Sequence, residues 1–454
     1  MAQNFTKLLK KSLTGETKVN FIYINNIEVE QYWNQNHMFI LNTSLQNTKP
    51  IVNRIEEMGL LLAENDDYIV LREMPDENFL RYLEKLSFSL PKIVTTSADE
   101  VELNITESIL NNNKYIDKIR AVAKESCFIL PFGVSKLEEH LSHLTKIPLA
   151  VPEAAIFEKV NHKIYSRQLN EKLNIRQING AICNSISEIY NNYDKLKYLL
   201  EKGRKLVLKE SLGVSGKGLY LIDSDKKFHQ FMKLLQRKKN EDNDSVAFVI
   251  EEWIDKAFDL NYQFIISKTG KIIFNYVKEA ITKNGVHMGH LIPPRINGDM
   301  LDQIIDYSYK IGKELSREGY YGVVGIDAIV DTNNCLYPNL EINARLNMST
   351  YQSIIQEKFI SNKYSLSKYY TVKLYNRLDF KSLIKLIEPY NFDLSKDKGL
   401  IITNFSTVNA NYKPHQLFIG RLYGTLIANT LEELRFMDEQ IEKRLSNVKE
   451  VSLI

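Results

Sequence analysis

The chain has 454 residues, 44% of them hydrophobic, enough for two or three domains with cores of their own. Its 59 Lys and Arg against 56 Asp and Glu leave a formal charge of +3, which gives no electrostatic reason to expect a nucleic-acid partner, although a local basic pocket is compatible with it. No apolar run is long enough for a membrane span and no leader is visible in MAQNFTKLLKKSLTGETK, so a cytoplasmic chain without a membrane partner is the expectation.

NFIYIN at 20–25, YIVLRE at 68–73 and PKIVTT at 91–96 read as strands, and DENFLRYLEKL at 76–86 reads as a helix between two of them. Strands separated by helices predict an α/β layer with a partly parallel sheet. No GxGxxG follows the first strand, so a dinucleotide site is unsupported and the region is read as a scaffold that shapes a substrate pocket. SCFILPFG at 126–133 looks like a strand entering a turn. The helical KLEEHLSHL at 136–144 carries His140 and His143, which lack a recognisable third metal ligand. Cys127, Cys183 and Cys335 form neither a CxxC pair nor a disulfide framework. PLAVPE at 148–153 marks a boundary. NHKIYSRQLNEKLNI at 161–175 is an amphipathic helix with Ile164, Leu169 and Leu173 toward a core, and Lys163 near its start is either solvated or aimed at a phosphate.

KLVLKESLGVSGKGLYLID at 205–223 is a strand, a glycine-rich loop and a second strand, which together make a flap. Glycines let backbone N–H groups approach phosphate oxygens closely, so Gly213, Ser215, Gly216, Lys217 and Gly218, with Lys209 on the strand, are candidate phosphate contacts. The order of residues excludes a Walker A loop, because Gly218 follows Lys217 and the next element is a strand. In AFVIEEWIDKAFDLNYQFII at 247–266, Glu251 and Glu252 are either a solvated edge or part of an adenine-binding linker with Trp253 and Ile254, with Asp259 placed for ribose hydroxyls.

KEAITKNGVHMGHLIPPRIN at 278–297 reads as a loop, because Gly285, Gly289 and the prolines argue against a helix. A loop there could cover reacting groups, with His287 or His290 as a base of suitable unperturbed pKa. GVVGIDAIVDTNNCLYPNLEIN at 322–343 reads as a hairpin. Glu341 and Asn343 share a strand face, Asp327 lies near their level on the partner strand, and oxygen donors so grouped suit magnesium. Arg345 follows close by and can contact a phosphoryl or carboxylate group bidentately.

From about 150 to 365, the helix lysine, the VLKE strand lysine, the glycine flap, the EEWI hinge and the DxxxD…ExNxR segment resemble an ATP-grasp ligase in order and spacing. The resemblance implies an α/β and α+β multidomain chain: a pre-ATP-grasp domain over 1–150, the catalytic region over 151–365 and a C-terminal accessory domain over 366–454. It implies ATP contacts from Lys163 and Lys209, a phosphate flap at Gly213, Gly216 and Gly218, an adenine hinge over Glu251–Ile254, a ribose contact from Asp259, and Mg2+ (or Mn2+) on Asp327, Glu341 and Asn343. Arg345 resembles the arginine that stabilises an acyl phosphate in biotin-carboxylase-like members. D-alanine ligases use an arginine where this chain has Gly325. The implied activity is an acyl phosphate made from a small carboxylate, such as an amino acid, and passed to an amine. The alternatives are loading of glutamate on an acyl carrier protein and a non-catalytic interaction module. The resemblance also admits a homodimer.

Overall fold

The computed structural model describes residues 4–33, 49–97, 102–123, 126–211, 218–238, 245–283 and 286–446. The N-terminal strands β1 (Asn20–Ile24), β2 (Tyr68–Leu71), β3 (Lys92–Thr95) and β4 (Cys127–Pro131) form a parallel sheet in the order β3-β2-β1-β4. Phe21 to Ile24 and Tyr68 to Leu71 are all buried, as expected of parallel strands covered on both faces. The chain winds to one side from β1 through β2 to β3, while β4 lies on the other side. The crevice at that reversal, beyond the carboxyl ends of β1 and β4, is where open α/β sheets accept ligands.

A second sheet contains β5 (Gly180–Ser185), β6 (Lys205–Glu210), β7 (Leu219–Ile222) and β8 (Ser245–Trp253), antiparallel in the order β5-β8-β6-β7. It has a core of its own, in which Leu206, Leu208 and Ile250 meet Ile189, Phe228 and Phe231 from two covering helices.

The third sheet has eight antiparallel strands: β9 (Lys256–Ile266), β10 (Ile272–Lys283), β11 (Val286–Ile292), β12 (Gly322–Asp331), β13 (Leu336–Asn343), β14 (Tyr364–Leu374), β15 (Gly399–Asn404) and β16 (Phe418–Ala428). Their order is β13-β12-β9-β10-β11-β14-β16-β15. The strands after residue 363 thus extend this sheet, and the helix Leu431–Ser446 packs on β14 and β16. Buried Glu57 of the N-terminal layer accepts backbone N–H bonds from Phe405 at 2.6 Å and Ser406 at 2.9 Å, which ties the first layer to the C-terminal strands.

One sequence expectation is corrected here. Residues 278–283 and 286–292 are strands and not a covering loop: β10 pairs with β9 and β11, and β11 pairs with β14. Gly289 is a packing glycine in mid-strand, where a Cβ would come within 2.2 Å of the Ser367 carbonyl oxygen, and the prolines follow the strand end. Among the described residues no helix is long and apolar enough to cross a membrane.

Candidate active site

A cleft of about 370 Å³ lies between the second and third sheets, and Ile27, Glu30 and Phe132 of the N-terminal layer close one side of it. Lys163 is the first residue of the helix Lys163–Leu173, and its backbone N–H donates to the Ser211 carbonyl at 3.0 Å. This pins the helix start to the end of β6. Leu169 is buried beneath the helix, as the spacing required, while Ile164 and Leu173 are half-buried. Lys163 Nζ lies 2.9 Å from Glu341 Oε1, so it faces the cleft and not solvent. Arg167, one turn on and on the same face, lies 3.4 Å from Glu251 and donates to the carbonyls of Ile178 and Gly180. Lys209 on β6 pairs with Glu251 as well, and Arg204 pairs with Glu252. Glu251 and Glu252 are therefore buried and answered by cations, which removes the reading of a solvated edge.

Trp253 and Ile254 line the cleft at the end of β8. The Glu252 N–H already donates to the Asn179 carbonyl at 2.9 Å. An adenine ring at this edge would use the Glu252 carbonyl and the Ile254 N–H. Asp259 accepts from Thr282 Oγ1 and from Lys256 Nζ, both at 2.6 Å. Gly218 closes the β6–β7 connection with φ +82°, a left-handed conformation that glycine adopts freely, and its carbonyl accepts from Glu210 N–H at 2.8 Å. Gly213, Ser215, Gly216 and Lys217 lie outside the described residues.

In the β12–β13 hairpin Asp327 stands directly opposite Glu341, and Gly325 opposite Asn343. Asn261 Nδ2 donates to Asp327 at 2.8 Å and Asn343 Nδ2 at 3.1 Å. Burial, and then the nearby Glu341 carboxylate, push Asp327 up to about 6. Two facing carboxylates under that repulsion, with an amide oxygen one pleat away, fit a hard divalent cation. Asn343 Oδ1 accepts from Arg345 at 2.8 Å, and Arg345 Nε donates to Glu30 at 2.6 Å, with the guanidinium 5.1 Å from the Phe132 ring centroid. Gly325 has no room for a side chain, because a Cβ there would stand 2.7 Å from Asn347 Nδ2.

His287 and His290 do reach the cleft, with ring centroids 4.4 Å apart. Their environment differs from the expectation. Burial pushes His287 down to about 4, and burial together with His287 and Lys278 holds His290 well below its ordinary value. Both are neutral imidazoles at pH 7 and weak bases there. His140 and His143 are exposed on the far helix, and all three cysteines are free. The sequence reading passed over Glu30, Arg167, Asn261 and Asn347, and it named Lys278 only as one polar residue of the 278–297 segment. Only Arg167, four residues after Lys163, and Asn261, two after Asp259, carried a periodicity signal.

Residues 185–343 match the family described as L-aspartate--L-methionine ligase, ATP grasp, and residues 55–147 match the pre ATP-grasp domain. The N5-carboxyaminoimidazole synthetase from Staphylococcus aureus, solved with ADP, superposes with a TM-score of 0.54 at 13% identity, over 94% of this chain and 97% of that one. Biotin carboxylase from Campylobacter jejuni gives 0.55 at 15% identity, over 94% and 92%. The chain has the ATP-grasp carboxylate-ligase fold. With this ATP-grasp fold it is 28% identical, over 77% of its length and 76% of the relative's, to the [butirosin acyl-carrier protein]--L-glutamate ligase of Niallia circulans. It is 24% identical to the arginine-specific carbamoyl phosphate synthase large chain of Geobacillus stearothermophilus, matching 16% of that longer protein. Fold and relatives together make this ATP-grasp chain an enzyme of the ligase class and not a bare interaction module.

Proposed function

We propose that the enzyme activates a carboxylate of an acidic amino acid with ATP and passes the acyl group to the thiol of an acyl carrier protein. The observation that carries this reading is the convergence of Lys163, Lys209, Asp327, Glu341, Asn343 and Arg345 on one cleft. The acceptor is taken from the relative that aligns along three-quarters of both chains, whose name specifies L-glutamate and a carrier protein. Amide formation with an amino-acid amine, which the sequence placed first, becomes the second reading. It is favoured by the match of 185–343 to a family named for joining L-aspartate to L-methionine. Both names specify an acidic donor.

In the first half-reaction a donor carboxylate oxygen bonds to the γ-phosphorus, the bond to the β–γ bridging oxygen breaks, and ADP leaves. In the second, a thiolate bonds to the acyl carbon and inorganic phosphate leaves. Asp327, Glu341 and Asn343 would hold a magnesium ion, which would supply charge compensation for the phosphoryl oxygens. Lys163 and Lys209 turn toward the phosphates, exchanging Glu341 and Glu251 for them as partners. Asn261 orients Asp327, and Arg345 orients the acyl phosphate with its planar guanidinium. The chemistry asks for no protein nucleophile.

The test supplies ATP, magnesium and L-glutamate or L-aspartate, with either a phosphopantetheinylated carrier protein or free amino acids. Intact-mass analysis of the carrier should show one aminoacyl group removable by hydroxylamine. A dipeptide with an unmodified carrier would favour the amide reading. No ADP from any mixture would contradict both.

A further inference from the structure

The floor of the cleft contains a buried cation that phosphoryl transfer does not use. Lys278 on β10 is fully buried. Its ammonium has two neutral acceptors, the Ser349 carbonyl and Gln352 Oε1, each at 3.3 Å, and lies 4.1 Å from the Tyr276 ring centroid. Among the described residues no carboxylate lies within ion-pairing distance of it. A buried ammonium without a counter-charge destabilises a fold, and burial pushes this one down to about 7.

Directly above Lys278 the cleft is lined by Ser349, His290 and Asn347. Tyr276 donates to Ser349 Oγ at 2.9 Å and holds that residue in place. Asn347 is buried, turns its carbonyl oxygen to the Ser349 hydroxyl, and leaves its Nδ2 amide without a protein partner. Gly325 provides the space into which that amide projects. A free N–H donor and an imidazole thus line the cleft near the paired carboxylates, with Ser349 linked through Asn261 to Asp327 and the buried cation behind Ser349.

We infer that Asn347, His290 and Ser349 form the subsite for the second carboxylate of a dicarboxylic acyl donor, with Lys278 beneath them as its positioning cation. The inference rests on the acidic-donor reading above and names the residues that would enforce it. A carboxylate there accepts from the free Asn347 amide and compensates Lys278. The corresponding neutral amide leaves the cation unanswered and brings a second N–H₂ group against donors. Selection for the acid over its isosteric amide follows.

The experiment measures ADP release with hydroxylamine as acceptor and L-aspartate, L-asparagine, L-glutamate or L-glutamine as donor, for wild type, Lys278→Met and Asn347→Asp. Wild type should prefer the acid to its amide by at least about thirtyfold in kcat/KM, since buried polar groups left unpaired reject an analogue strongly. Lys278→Met should lower that preference at least about tenfold through KM for the acid, with kcat within about threefold. It should do so without lowering Tm, because an unpaired buried charge is removed. Asn347→Asp, which sets a carboxylate against the donor, should raise KM for the acid more than for the amide. An unchanged acid-to-amide ratio in both variants, or a loss in kcat alone, would overturn the subsite while leaving the ligase reading intact. A wild type that releases ADP with none of the four donors would overturn the acidic-donor reading and the subsite with it.

Discussion

Two hairpins of the same sheet line the cleft on either side of β9, and they handle charge in different ways. In β12–β13 the charges are answered: Glu341 by Lys163, Arg345 by Glu30 and Asn343, Asp327 by two amides. In β10–β11, Lys278 and His290 are buried among neutral groups. The first arrangement stores exchangeable pairs: a nucleotide phosphate can replace a glutamate beside a lysine, and a divalent cation can replace the lysine beside a glutamate. The second arrangement has nothing to exchange and gains only when an anion arrives. On the proposed function, the first hairpin would serve phosphoryl chemistry and the second the selection of the donor.

The largest effect expected from this contrast is in the answered hairpin. Asp327→Asn or Glu341→Gln should lower ATP-dependent turnover at least about a hundredfold, because carboxylate ligands position the metal and the phosphates. Circular dichroism should show the fold retained. Turnover near wild type in both variants would remove the acidic pair from the chemistry. Next, Lys163→Ala and Lys209→Ala should each weaken binding of a non-hydrolysable ATP analogue by about tenfold, consistent with loss of a charge-assisted contact. Calorimetry giving wild-type affinity for both would leave these lysines as partners of Glu341 and Glu251 alone.

The legibility of the two hairpins in the sequence follows the same contrast. Glu341, Asn343 and Arg345 sit at period-two spacing after a turn and Asp327 lies on the apolar strand before it, so the shared face could be read directly and the register to within a residue or two. The N-terminal strands and the flap strands were legible for the same reason: short apolar runs bounded by turn residues. In β10–β11 the glycines and prolines look like loop punctuation, although Gly289 serves close packing against β14. Nothing local marks Lys278 as buried, because its burial comes from Ser349 and Gln352, more than seventy residues away. Glu30 was invisible likewise, since its partner Arg345 is 315 residues distant.

A third, smaller effect concerns the histidines. With His287 pushed down to about 4 by burial, any limb in the pH dependence of acyl transfer between about pH 6 and 7.5 belongs to Asp327 or Lys278, at about 6 and about 7, and should persist in His287→Asn. His287→Asn should slow hydroxamate formation and transfer to the natural acceptor equally. A limb in that window that disappears in His287→Asn would restore the histidine as a base and end the distinction between the two hairpins.

The smallest effect comes from a buried charge outside the cleft. Burial pushes Glu57 up to about 7, against backbone N–H bonds from Ser406 and Phe405 that favour its charged form. The folded state therefore holds this proton more tightly than the unfolded chain does. Its stabilising contribution is complete below about pH 4.5 and is lost as pH rises through about 7. Glu57→Gln should make the fall in Tm between about pH 5 and 8 shallower by a few degrees, with a residual slope from Glu56, which is raised in the same direction. An unchanged slope would mean that this carboxyl titrates alike in the folded and unfolded chains.

The central claim, that this cleft makes an acyl phosphate from a carboxylate, is tested most directly by trapping with hydroxylamine. Wild type and Asp327→Asn are incubated with ATP, magnesium and L-aspartate or L-glutamate, and ADP and hydroxamate are quantified together. The account predicts one hydroxamate per ADP from wild type and the loss of both in the variant. AMP and pyrophosphate in place of ADP, or equal hydroxamate from the two proteins, would contradict it.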